Sequence, residues 1–358
     1  MRLYLPLILI AAIVSFQCSS DKNEAYLQKA NGKAGDVLLV MDSVQWRGEL
    51  GKEVRRIFQA EVPGLPQAEP MFNVLWVHPS KGFTMLTKMR NLVYVFTMDQ
   101  DTQGSRIIRD QFSEETLKRI NADTTFTLTT QSNEYARGQE VMYLMHRTEE
   151  GLIRYLQTHR QNIIDYFNRT ERQRISREIL GTRSTQGVAD FLREEQQIEL
   201  RVPVGYRLAD KTGDFVWLRN MTAETDKDIF VTWKPYESEY QLLPDSLIAW
   251  RNETCKKYLY EDPARPETFL LTEEENAKVT ARQMRLNNHF AMEIRGLWRS
   301  NIYTMGGPFL GYALVDEPRG ILYYIEGFAY APGKDKREMM RELETILWTF
   351  KTSAELKK

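Results

Sequence analysis

The stretch ILYYIEGFAYAPGKDKREMMRELETILWTF, residues 321–350, holds the strand and the helix that decide the fold of this chain. Residues 321–330 are mostly aromatic and aliphatic, which is typical of a buried strand. Further on, apolar residues recur every three or four positions, so the pattern predicts a helix with one buried face. The apolar positions of this helix are Met339, Leu343, Ile346, Leu347 and Phe350. Asp335 and Glu338 have the spacing of a capping box and are expected to begin the helix.

The same succession of strands followed by a helix occurs in both halves of the chain. In the first half, the apolar run VLLVM at 37–41 predicts a buried strand, and the periodic residues of 148–180 predict a long helix. Further strand-like segments lie at 72–77, 91–98, 124–130, 141–146, 197–202, 214–218, 229–233 and 290–294. These patterns predict an α+β fold of two similar-sized mixed units, each a mostly antiparallel sheet packed against helices. The units are expected at residues 35–180 and 188–352, on either side of a glycine-containing turn.

The composition excludes several classes of protein. Of the 358 residues, 42% are hydrophobic and 27% are charged, as in ordinary globular domains. The 48 basic residues nearly balance the 49 acidic ones, so the chain has no overall positive field and no nucleic-acid partner is predicted. After the first 18 residues, no apolar run reaches the length that is needed to cross a bilayer.

The first 18 residues have the pattern of an export leader. A charge-free apolar stretch at 3–16 has the length of a secretory signal and is short for a membrane span. The stretch is followed by Cys18 and then by polar residues, which is similar to a bacterial lipoprotein signal. The similarity implies a signal peptide at 1–17, lipidation of Cys18 and a polar tether at 18–34. Gln17 is bulkier than the usual residue before such a cysteine, so an ordinary cleaved secretory peptide and an uncleaved anchor stay open as alternatives.

The sequence predicts neither a metal site nor a cofactor. Cys255 is the only other cysteine, so no internal disulfide is expected once Cys18 carries lipid. Cys255 lies in a helical pattern and is interpreted as a small buried residue. The alternative, a catalytic thiol, needs a histidine that the fold brings close. The histidines are His78, His146, His159 and His289, and no two of them have metal-ligand spacing on one element.

Glycines near the end of the chain form a candidate surface for a ligand or partner. Gly306 and Gly307, followed by Pro308, have the conformational freedom to form a loop over a ligand. The structural alternative is ordinary hairpin geometry, because residues 317–320 form a good turn between two strands.

Glu326 is the fourth residue of this candidate surface, and it interrupts a strongly apolar strand. Its carboxylate is expected either to face a cleft or to pair with an arginine, with Arg295 and Arg299 as candidates, because unpaired burial is costly. No second carboxylate can be assigned to it by spacing, and the chain lacks a nucleophile elbow. No catalytic residue is therefore predicted.

Several short motifs resemble those of an uncharacterised Bacteroidota lipoprotein family, domain of unknown function 4837. They are the leader with Cys18, the opening GDV at 35–37, the loop PGLPQ at 63–67 and EGFAYAPGK at 326–334. The resemblance implies membership over nearly the whole mature chain. It also implies a lipid-anchored protein of the cell envelope, at the outer membrane on its periplasmic or surface face. It supplies no catalytic residues.

The favoured hypothesis is a non-enzymatic envelope lipoprotein. It would attach to the membrane through its lipid anchor and bind a protein, peptide or glycan partner. The alternative is a hydrolase of envelope polymers that uses a histidine or a cleft carboxylate such as Glu326. The sequence does not decide whether the protein is an enzyme.

Overall fold

Two β-sheets, each covered by helices on both faces, form the body of the protein. The computed structural model describes residues 26–80, 86–181, 186–262, 264–287 and 289–356. The predicted α+β fold of two mixed units is confirmed. Among the described residues, no helix is long and apolar enough to cross a membrane. The predicted leader and Cys18 lie outside the described residues.

The amino-terminal unit contains a five-stranded sheet and the long helix that the sequence predicts. Its elements are β1 (Asp36–Met41), α1 (Ser43–Arg47), α2 (Glu49–Phe58), β2 (Asn73–Val77), β3 (Asn91–Thr97), α3 (Gln103–Arg109), α4 (Glu114–Ala122), β4 (Leu128–Ser132), β5 (Glu140–His146) and α5 (Glu149–Ile179). Helix α5 bends at His159, where the backbone leaves the helical region with φ −109°.

The five-stranded sheet is mostly parallel, in the order β2-β1-β3-β5-β4. Strand β1 is parallel to β2 and β3, β3 is parallel to β5, and only the β4–β5 pair is antiparallel. The prediction of a mostly antiparallel sheet is therefore wrong for this unit. Leu39 packs with α2 and α5, whereas its neighbour Leu38 packs on the opposite face with α3 and α4. A strand that is covered on both faces reads as a continuous apolar run. Helix α2 lies in the connection between the parallel strands β1 and β2, and α3 and α4 lie in the connection between the parallel strands β3 and β5.

The carboxy-terminal unit contains a nine-stranded sheet in which every described pairing is antiparallel, as predicted. The strand order is β6-β7-β8-β14-β13-β12-β10-β9, and β11 also pairs with β12. Its elements are α6 (Gln186–Gln196), β6 (Arg207–Thr212), β7 (Phe215–Met221), β8 (Asp226–Pro235), α7 (Pro244–Tyr258), β9 (Tyr260–Asp262), β10 (Arg265–Glu273), β11 (Thr280–Leu286), β12 (His289–Ser300), β13 (Gly306–Asp316), β14 (Ile321–Tyr330), α8 (Arg337–Leu347) and α9 (Ser353–Leu356).

Strand β14 and helix α8, both from the stretch quoted first, form the centre of this unit. The sheet packs against α6 and α8 on one face and against α7 on the other. A Cβ atom on Gly327 would lie 2.9 Å from the Cβ of Leu343, so glycine lets α8 lie directly on β14. Four of the predicted helix residues are buried, and Met340 is buried in place of Met339.

Helix α8 is capped by the other unit. The backbone N–H groups of Lys336 and Arg337 donate to the two carboxylate oxygens of Glu69, at 2.7 and 2.9 Å. The predicted capping box is wrong, because the carboxylate of Glu338 binds the guanidinium groups of Arg337 and Arg341 instead. A negative group at this position satisfies free N–H groups and complements the helix dipole, which typically contributes about 1 kcal/mol.

The end of the predicted tether at 18–34 belongs to the amino-terminal unit. The N–H of Ala30 donates to the carbonyl of Arg137 at 3.0 Å, and the N–H of Asn31 donates to the carbonyl of Lys88 at 2.8 Å. These two residues of the predicted tether are therefore held against the amino-terminal unit by backbone pairing, although the segment has no apolar pattern. Residues 18–25 lie outside the described residues.

Candidate functional site

The glycine-containing part of the predicted ligand surface belongs to a strand of the nine-stranded sheet. Gly306 is the first residue of β13, and Gly307 and Pro308 are buried where this strand pairs with β12. A Cβ atom on Gly307 would lie 2.0 Å from the carbonyl oxygen of Ala329, so glycine is required by the contact between two backbones. These residues form no loop over a ligand, and the structural alternative explains them.

Glu326 is fully buried and pairs with Arg251, not with Arg295 or Arg299. The Nε and Nη2 atoms of Arg251 donate to the two carboxylate oxygens at 2.8 and 2.7 Å. The hydroxyl of Tyr324 donates a further hydrogen bond at 2.7 Å. Because the carboxylate is satisfied and closed off from solvent, it neither faces a cleft nor contributes to a ligand surface. Glu326 therefore cannot serve as the cleft carboxylate that the hydrolase alternative needs.

Cys255 is buried close to this ion pair, as the sequence interpretation expects. Burial raises the pKa of its thiol to about 12, although the nearby Arg251 opposes the effect. A thiol of this pKa is protonated at neutral pH and is a poor nucleophile. The geometry supports a packing role.

The four histidines lie in separate environments. His78 and His289 each lie beside one carboxylate, at 3.6 and 3.0 Å. The ring nitrogens of His146 and His159 contact backbone groups of their own segments. Within residues 26–356 as described, no group of three histidine, cysteine, aspartate or glutamate side chains could hold a metal.

A cleft of about 490 Å³ lies between the two units, and we call it the inter-unit cleft. The amino-terminal unit contributes α2, α5 and the loop after α2, and the carboxy-terminal unit contributes β11, β12 and α8. Among the described residues that line it, seven are arginines and four are carboxylates. Arg56 and Arg160 lie on one wall and Arg282 and Arg295 on the other. The lining is therefore positively charged on balance.

The loop at 61–70, which contains the PGLPQ motif, holds the two units together beside this cleft. Leu65 packs into the core of the carboxy-terminal unit. Gly64 has φ +75°, and a Cβ atom there would lie 2.9 Å from a backbone nitrogen of β12. Arg337 and Arg341 of α8 each donate to a backbone carbonyl at the end of the loop, both at 2.7 Å. These contacts set the relative position of the cleft walls.

A buried ionic network forms the floor of the cleft. Arg295 lies between two carboxylates, with Nε 3.1 Å from Glu293 and Nη2 3.2 Å from Glu344. Glu344 of α8 also binds Arg172 of α5 at 2.9 Å, so the network crosses from one unit to the other. The hydroxyl of Tyr312 donates to Glu293 at 3.3 Å. The floor charges are thus largely compensated by one another.

The floor is built from groups that keep their protonation state near neutral pH. Burial alone would raise the pKa of Glu293, but the guanidinium groups of Arg295 and Arg282 outweigh it and lower the pKa to about 2. Burial raises the pKa of Tyr312 well above its ordinary value. A general acid or base works best with a pKa near the operating pH. These groups therefore suit fixed electrostatic recognition better than proton transfer.

Sequence reasoning missed this cleft. It considered Arg295 only as a partner for Glu326, and it assigned no role to the arginines of α5, such as Arg160 and Arg172. A usable signal was the number of arginines in the segment that forms α5. The carboxylate partners of Arg160 and Arg172, however, lie more than 100 residues away along the chain.

Comparisons with known proteins identify two domain families in the chain. Residues 30–180 match a domain of unknown function (DUF8532), and residues 185–349 match a domain of unknown function (DUF4837). No curated protein matches the chain. The family resemblance inferred from sequence motifs was expected over nearly the whole mature chain. The match instead covers the carboxy-terminal unit, and the amino-terminal unit matches a second family.

Among solved structures, the chain has weak likeness to Mog1. A mutant form of Mog1 is 10% identical, with a TM-score of 0.29, over 44% of this chain and 90% of that protein. The Ran-binding protein Mog1p of Saccharomyces cerevisiae is also 10% identical, with a TM-score of 0.30, over 48% of this chain and 94% of that protein. Likeness at these scores carries no argument about fold or function. The family-model match at 185–349 is to the domain of unknown function DUF4837, which is the family that the motifs indicated.

Proposed function

We propose that this protein is lipid-anchored in the cell envelope and binds acidic groups of a protein, peptide or glycan partner in the inter-unit cleft. The observation that carries the proposal is the excess of arginines in the lining of the cleft. Ligand sites favour clefts of 300–1,000 Å³ between domains, and this cleft has that size and position.

The arginines at the open side of the cleft support the choice of an acidic ligand. The side chains of Arg56, Arg160 and Arg282 are 60%, 43% and 44% exposed. Arg56 and Arg160 share the single carboxylate of Glu53, at 3.0 and 2.7 Å. Arg282 lies at 3.4 and 3.6 Å from its carboxylate partners, which leaves donors free for a ligand. Guanidinium groups bind carboxylates and phosphates through paired hydrogen bonds, so this surface suits an anionic partner.

Binding in the cleft can be tested by calorimetry with defined acidic probes. The full chain carrying Cys18→Ser is titrated with hexaglutamate and with trigalacturonate at low salt, and hexaglutamine and maltotriose are the neutral counterparts. We expect an acidic probe to bind more tightly than its counterpart. Arg282→Gln should weaken that binding about tenfold, since it removes a charged hydrogen-bond donor.

Arg285→Gln is the matched control, because Arg285 is exposed on the same strand and does not line the cleft. It should leave the affinity of the acidic probe nearly unchanged. Thermal unfolding of both variants checks that the fold is kept. Equal affinity for acidic and neutral probes, or equal losses of affinity in the two variants, would contradict the binding of acidic groups in the inter-unit cleft.

The lipid anchor is supported by the leader pattern that ends at Cys18. Cys18→Ser removes the sulfur that would carry the lipid, so the variant should move from the membrane fraction to the soluble fraction of a bacterial host. Cys255→Ser is the matched control and should stay with the membrane. Unchanged membrane association of Cys18→Ser would show that the sulfur is not the attachment point.

A further inference from the structure

A second concave region lies in the amino-terminal unit and shares no lining residue with the inter-unit cleft. Its volume is about 790 Å³. It is formed by the segment at 29–34, residue Arg90 before β3, the turn at 137–138 between β4 and β5, and the last turns of α5. We call it the basic pocket, because six of its lining residues are cations and one, Glu178, is an anion.

The floor of the basic pocket contains two arginines that share one buried carboxylate. Glu171 is fully buried and lies 2.8 Å from Arg90 and 2.6 Å from Arg174. The side chains of these arginines are only 16% and 12% exposed. The Nε of Arg90 is buried and has no hydrogen-bond partner among the described residues. One carboxylate cannot neutralise two guanidinium groups, so these three side chains keep a net positive charge. Burial lowers the pKa of Arg174, and the positive charge of Arg90 acts in the same direction.

The rim adds four exposed cations from three separate chain segments. They are Lys29, Lys33, Arg137 and Arg177. Within the described part of the chain, none of them forms an ion pair with a carboxylate. Arg177 also lies in the last turn of α5, where a cation complements the helix dipole, but the dipole does not account for the other three.

We propose that the basic pocket binds a phosphate group, and that an anionic membrane lipid carries it. Converging guanidinium and ammonium groups around a partly buried floor recognise phosphate oxygens, and the pocket is large enough for a lipid headgroup. The choice of a lipid rests on the proposed anchor. Lys29 follows Cys18 by only eleven residues, which span at most about 40 Å when extended. An anchored chain therefore holds this pocket close to the headgroups.

Two probes distinguish a lipid from a soluble source of phosphate. The full chain carrying Cys18→Ser is sedimented with vesicles of phosphatidylglycerol and phosphatidylcholine, mixed one to three, and with pure phosphatidylcholine vesicles. The same protein is titrated with inorganic phosphate by calorimetry. The rim variant carries Lys33→Gln, Arg137→Gln and Arg177→Gln. The control variant removes three exposed cations elsewhere on the same unit by Lys52→Gln, Lys118→Gln and Arg154→Gln.

We expect binding to the anionic vesicles, little binding to pure phosphatidylcholine, and a loss of about a hundredfold in the rim variant, since each cation near a membrane contributes about 1 kcal/mol. The control variant should lose much less. Equal losses in both variants, or no binding to either probe, would overturn the proposal. Phosphate binding that the rim variant loses, without vesicle binding, would keep the phosphate site and overturn the lipid as its source. The Arg282→Gln variant should bind vesicles normally, so failure here is distinct from failure of the inter-unit cleft.

Discussion

Replacing Arg251 with methionine is expected to lower the free energy of unfolding by about 3–5 kcal/mol. The change leaves the carboxylate of Glu326 buried with only the hydroxyl of Tyr324 as a direct hydrogen-bond partner among its present side-chain contacts. It also removes the guanidinium group that stacks over the ring of Phe309 at 3.9 Å. Methionine fills much of the same volume, so the loss reports an uncompensated buried charge more than a cavity. Urea unfolding, followed by tryptophan fluorescence, measures the effect.

Two further variants separate charge from packing at this position. Glu326→Leu should be as destabilising as Arg251→Met, because it leaves Arg251 buried without its carboxylate. The double variant should recover most of the loss, since replacing a buried ion pair by apolar residues is often nearly neutral. Arg154→Met, at a surface ion pair, should change stability by less than about 1 kcal/mol. Full additivity of the two single losses would mean that the pair itself is not what stabilises the core.

The free energy of unfolding is expected to fall as the pH is lowered from 4.5 to about 2, because Glu293 takes up a proton in this range. Its pKa is 4.5 in the unfolded chain and about 2 in the folded protein. The folded pKa is depressed, so the unfolded chain binds the proton first as the pH falls. The stabilisation is therefore complete above pH 4.5 and disappears as the pH approaches 2. A difference of this size corresponds to roughly 3 kcal/mol. Urea unfolding at several pH values measures how steeply the free energy of unfolding falls with pH.

The Glu293→Gln variant isolates this contribution. It should be less stable at pH 7, because Arg295 loses a partner in the cleft floor, and its stability should fall less steeply between pH 4.5 and 2. Glu275→Gln removes a largely exposed carboxylate that also lies near an arginine, and it should leave the slope close to that of the parent protein. A slope that is the same in all three proteins would rule out Glu293 as the source of the acid sensitivity.

Sequence patterns predicted the structure where a residue's environment is set by its own element. The stripe in α8 is buried because helical periodicity places Leu343, Ile346 and Leu347 on one face. The run VLLVM indicates that its strand is covered on both faces, which is typical of parallel sheets. The run at 321–330 is also covered on both faces, but β14 is antiparallel to both of its neighbours, so burial alone does not determine the strand direction.

The candidate sites depend on contacts that local patterns do not contain. The sequence showed that Glu326 is unusual in an apolar strand. Its partner Arg251, however, lies 75 residues away along the chain, with several strands between them. The inter-unit cleft and the basic pocket are likewise formed by side chains from separate segments of the chain. Cation-rich segments such as 29–34 look like solvated surface until the fold places them beside Arg90 and Arg174.

The cap that Glu69 provides for α8 joins two residues that are synthesised far apart in time. Glu69 is translated 267 residues before Lys336, which at 5–20 residues per second is roughly 10–50 seconds. During that time the strands of the nine-stranded sheet leave the ribosome without α8, which with α6 covers one of their apolar faces. A chain stopped before 337 therefore leaves the part of this face that α8 covers open to chaperones and proteases. Formation of α8 is therefore the step that completes the cover of this face and distinguishes the finished chain from a fragment.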